Sequence, residues 1–67
     1  MIKPGIYETV RGEQYRLETG AKGIIVFIYR GFRMQVKSAV FKVTPIRHLI
    51  LAIETQIEAN RLKTEEQ

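Results

Sequence analysis

The chain has 67 residues, with 11 Lys and Arg against seven Asp and Glu, a net charge of +4, and no cysteine. This describes one small basic domain (1–67) without disulfides or thiolate chemistry; a core of this size gains from a partner. No catalytic constellation is visible: Thr9, Thr19 and Ser38 have no base beside them in the sequence and His48 has no paired acid, so no enzyme, metal or other cofactor is expected. The start, MIKPGIYE, has no apolar run of the signal-peptide kind, and the apolar segments are far shorter than the about 20 residues that cross a bilayer. The expectation is a cytoplasmic chain with no membrane partner, which zero cysteine fits.

In chain order, Lys3-Pro4-Gly5 is a turn signal after a short lead-in. Residues 6–10 and 14–18 are β-rich and flank Arg11-Gly12, where glycine accepts the positive φ of a tight hairpin. Residues 19–23, TGAKG, form a loop too short for a phosphate cradle and lead into a strand rather than a helix. Ile24–Tyr29 is apolar throughout and β-branched or aromatic, the pattern of a central strand. Arg30-Gly31 is a second turn. Phe32, Met34 and Val36 then alternate with Arg33, Gln35 and Lys37, one apolar face against one basic face. The alternation slips at residues 39–41, which predicts a bulge or strand end within a sheet reaching residue 43.

Thr44-Pro45 reads as a helix start, with threonine as the cap and proline in the first turn. Ile46, Leu49, Ile50, Ile53 and Ile57 make one stripe, so a helix is predicted over 45–62, with a frayed tail at 63–67. The expected fold is α+β: an antiparallel sheet of three to four strands in two hairpins, one face covered by a C-terminal amphipathic helix.

Residues 1–43 hold eight cations and three acids, whereas residues 44–67 hold three cations and four acids. The basic charge therefore belongs to the sheet half and bears on partners. The uncovered face of the last strand carries Arg33, Gln35 and Lys37. Register decides whether Phe27 and Tyr29 or Ile24, Val26 and Ile28 lie beside them. The aliphatic set suits the core, which places Phe27 and Tyr29 outward. Aromatic rings among cations grip nucleic acid, and a narrow sheet enters the major groove, where Arg and Gln reach base edges. The candidate nucleic-acid-binding set is Arg16, Lys22, Phe27, Tyr29, Arg30, Arg33, Gln35 and Lys37. On the helix, Leu51, Thr55 and Leu62 fall off the core stripe and form a candidate interface for a partner or a homodimer. Glu54 and Glu58 read as a solvated pair, Glu58 near Arg61.

The stretch GIIVFIYRGFRMQVKSAVFKVTPIRHLILAIETQI resembles the C-terminal part of the bacterial cell-division activator CedA and small lambdoid-phage proteins of similar build. The resemblance rests on the apolar strand, the Arg30-Gly31 turn, residues 39–43 and Thr44-Pro45, about half of the chain, with one extra residue between Ala39 and Phe41. The general shape is also similar to the arm-binding domains of phage-type integrases, three strands and a helix that read DNA with the sheet. Both resemblances imply DNA, or the transcription machinery on it, as partner. The expected function is a small non-enzymatic DNA-binding or DNA-associated regulatory protein of phage or mobile-element type. Its partner would be double-stranded DNA or a transcription or replication protein, and no small-molecule substrate is evident. The alternative is a protein–protein module, a phage-encoded inhibitor or dimeric adaptor, using the helix or a sheet edge.

Overall fold

In the computed structural model, residues 3–65 are described, with side chains through residue 63; the first two residues of the lead-in and the last two of the expected tail lie outside them. Four strands, β1 (Gly5–Glu8), β2 (Gln14–Thr19), β3 (Ile24–Tyr29) and β4 (Phe32–Lys37), form one antiparallel sheet in sequence order. A short helix, α1 (Ser38–Val43), follows, and then the long helix α2 (Ile46–Glu65). The α+β expectation holds, with four strands and the helix across one face.

Three turns set the register. At the first, Gly12 N–H donates to Thr9 O and Thr9 N–H to Glu13 O, both at 2.9 Å, while the Thr9 hydroxyl oxygen accepts from Glu13 N–H at 3.1 Å. This is a wider loop than a two-residue hairpin, and Gly12 (φ 84°) takes its left-handed position. The Arg30-Gly31 turn is tighter: both residues have positive φ (52° and 82°), and Tyr29 faces Phe32 directly. That is the primed turn whose twist matches a β-hairpin.

Alternate residues share a face, so the register separates the two sides of the sheet. The covered side carries Tyr7, Tyr15, Leu17, Ile25, Phe27, Tyr29, Phe32, Met34 and Val36, packed with Leu49, Ile50 and Ile53 of α2. Tyr7 and Tyr15 stack at 5.7 Å between centroids, and Tyr15 lies 5.3 Å from Phe27, so the rings run across three strands beneath the helix. Phe27 and Ile50 are fully buried.

Three expectations are corrected here. The strand does not reach residue 43: Ser38 N–H donates to Gly23 O at 2.8 Å, and Ser38–Val43 then turns into helix. Thr44 caps backwards rather than forwards, since its hydroxyl donates to Val40 O at 2.7 Å and closes α1. The long helix continues past the expected end, through Lys63 to Glu65.

Candidate nucleic-acid interface

The side of the sheet away from α2 is covered by no element among the described residues. Reading across β2, β3 and β4, its rows are Arg16–Ile28–Arg33 and Glu18–Val26–Gln35, followed by Ile24–Lys37 at the end of the hairpin. Ile6 and Glu8 of β1 and Gln14 of β2 extend the same face. Each aliphatic residue of β3 thus has long polar side chains directly beside it, and these shield it. Val26 is only 8% exposed although it faces outward. Gly20 closes the edge of this apolar strip: a Cβ there would approach Cγ2 of Ile24 and of Val26 at 3.1 and 3.3 Å.

Of the residues expected to bind nucleic acid, Arg16, Arg33, Gln35 and Lys37 lie on this open face. Arg30 joins them from the turn, lining a shallow hollow with Ile6, Gln14, Arg16 and Ile28. Lys22 sits at the opposite end, in the β2–β3 loop, beside a hollow that Ser38 and Lys42 also line.

Phe27 and Tyr29 do not belong to the set. They are 0% and 7% exposed and face the helix, so the aromatic residues are core and Ile24, Val26 and Ile28 are outward, the reverse of the expected parity. The rings fill the space between sheet and helix, which sit about 10 Å apart in such layers, whereas short aliphatics suit a floor beneath extended polar chains.

Arg33 Nη2 donates to Glu18 Oε1 at 2.9 Å, and Arg16 Nη1 lies 3.9 Å from the other carboxylate oxygen. Glu18 therefore holds both guanidinium groups toward one another over the aliphatic floor, with their side chains still 55% and 62% exposed. Glu13 is turned the other way, accepting from Arg47 Nη1 at 3.0 Å at the seam between sheet and helix. The Tyr29 hydroxyl reaches Glu13 (3.3 Å) and Glu54 (3.4 Å), and its single proton serves one carboxylate at a time. Burial, then the charges of Glu54 and Glu13, push the Tyr29 phenol above its usual range. Glu8 and Glu18 remain against Arg16, Arg30, Arg33 and Lys37, so the open face and its rim stay net basic.

Sequence reasoning overlooked Gln14 beside Arg16, Lys42 beside Lys22, and Glu18 as the organising counter-charge. Cross-strand pairing was the signal available for Glu18. No group of three metal-ligating side chains occurs among the described residues, and no described helix is long and apolar enough to cross a membrane. The expected helix interface residues Leu51, Thr55 and Leu62 are all exposed, and they share one groove with Glu54, Glu58 and Ala59. Comparison with protein-family models, with curated proteins and with solved structures finds no match to this chain.

Proposed function

We propose that this protein is a small non-enzymatic DNA-binding protein that lays the open face of its sheet on duplex DNA. The observation that carries the reading is the row Arg16–Ile28–Arg33, with Gln35 and Lys37 on the same uncovered face. Two strand spacings separate β2 from β4, about 10 Å, which suits a major groove about 12 Å wide. Arg16, Arg33 and Gln35 are the residue types that read guanine and adenine edges there, and Lys37 and Arg30 are placed to meet flanking phosphates. Lys22 and Lys42 extend the phosphate contacts beyond one end of the sheet. The aliphatic floor takes the role that aromatic rings were expected to play: it supports the guanidinium stems and offers apolar contact to thymine methyl groups.

Fluorescence anisotropy with a labelled duplex across a salt series tests the proposal. Three to four phosphate contacts give an affinity falling with salt at a log–log slope of about −3. No binding at about 50 mM salt, or affinity indifferent to salt, overturns the proposal.

A further inference from the structure

From α2 we infer that two copies of this chain associate through their long helices, packed antiparallel. The inference concerns the face of α2 opposite the sheet and does not rest on the reading of the open sheet face.

Leu49, Ile50 and Ile53 bury one side of α2. On the opposite side Leu51, Thr55, Glu58 and Leu62 follow one another at spacings of four, three and four residues, which is a seam of the coiled-coil kind. Leu51 is 45% and Leu62 48% exposed, and no described element covers them. The residues flanking the seam identify what covers it. On one flank stand Glu54 and Arg61, seven residues apart and opposite in charge; on the other stand Ala52 and Ala59, also seven apart and both exposed.

A second copy laid antiparallel brings Leu51 against Leu62 of that copy, and Thr55 against its Glu58. The same alignment sets Glu54 opposite Arg61 of the second copy, and by symmetry this pair occurs twice. Ala52 meets Ala59 on the other flank, where small side chains let the helix axes approach. The parallel alignment is unfavourable, because it stacks Glu58 on its own copy. In the antiparallel one, Glu58 faces the neutral Thr55 of the second copy; in either alignment it keeps the intrahelical bond it receives from Arg61 Nη2 at 2.5 Å, which holds its carboxyl below the usual range. The charge of the helix face thus complements itself in one orientation. Since the seam lies opposite the sheet, the two open sheet faces of such a dimer point away from each other. A contact of about three helical turns falls at the small end of specific interfaces, so the dimer is weak and reversible.

The test is sedimentation equilibrium on the full chain from about 10 µM to 1 mM, a range that covers weak association. The wild type should dimerise reversibly. Glu54→Arg and Arg61→Glu, each alone, place like charges together twice and should weaken the dimer about tenfold or more. An equimolar mixture of the two variants restores both opposite-charge pairs in the heterodimer and should associate more tightly than either variant alone. A folding defect in one chain does not produce that rescue. Leu62→Glu alters a side chain outside the buried core and should give a folded monomer, with an unchanged circular-dichroism melt. A wild type that stays monomeric throughout, a mixture no tighter than its components, or a Leu62→Glu chain that dimerises normally overturns the inference.

Discussion

Arg16 and Arg33 flank the same residue, Ile28, from opposite sides of the central strand, and both reach the carboxylate of Glu18. Two guanidinium groups are thereby presented together on a face that no other described element covers. Glu18→Gln keeps a hydrogen-bond acceptor and removes the charge that occupies them. Expected is tighter duplex binding, with a salt dependence steeper by about one contact in the same anisotropy assay. Weaker binding by Glu18→Gln would mean that the carboxylate's positioning of Arg33 outweighs its repulsion of phosphate.

Arg30 is the only non-glycine residue with positive φ among the described residues, and its backbone conformation favours glycine or asparagine. Arg30→Asn should stabilise the fold by about 0.5–1 kcal/mol, read by urea denaturation. If the arginine contacts phosphate, the same variant binds duplex DNA less tightly, so stability and affinity move in opposite directions.

Phe27 is fully buried between strands and helix. Phe27→Ala should cost about 3–5 kcal/mol, enough to unfold much of a domain this small. A merely local loss of DNA affinity with an unchanged melt would return Phe27 to the surface role first expected of it.

The Tyr29 phenol is raised by burial and by Glu54 and Glu13, so the folded chain holds that proton more tightly than the unfolded chain. Above about pH 10 the unfolded state ionises first, and stability falls as pH rises toward the folded-state value. Tyr29→Phe should cost about 1 kcal/mol at neutral pH through the lost hydrogen bond. It should also flatten the decline between pH 9 and 11. Part of the slope remains, because burial, with a smaller push from Tyr7, raises Tyr15 in the same direction. Urea denaturation of both proteins at pH 7, 9 and 11 checks both effects.

The strands β2 to β4 and the long helix were legible because their signals are local: a β-branched apolar run, a period-two alternation, and a stripe with period 3.6. The side of β3 that faces water was misjudged by comparing aromatic with aliphatic side chains, although the turn already held the answer. A two-residue Arg30-Gly31 loop sets Tyr29 directly opposite Phe32, and cross-strand partners share a face. Once Phe32, Met34 and Val36 point inward, Ile25, Phe27 and Tyr29 must follow. The helix Ser38–Val43 was hidden for another reason. Its valines and phenylalanine suit a strand, and a tertiary hydrogen bond from Ser38 N–H to Gly23 O accompanies the change to helix. On the candidate site, the basic residues were legible one by one; their pairing through Glu18 was not, because it arises only from register.

The central claim is that the open sheet face, and not the helix, meets DNA. Amide chemical-shift mapping of the isotopically labelled chain during titration with a short duplex addresses it most directly. The account expects shifts concentrated at Arg16, Ile28, Arg30, Arg33, Gln35 and Lys37, fading as salt is raised, with Leu51, Thr55 and Leu62 unmoved. Shifts confined to the helix seam, or none at low salt, would contradict it.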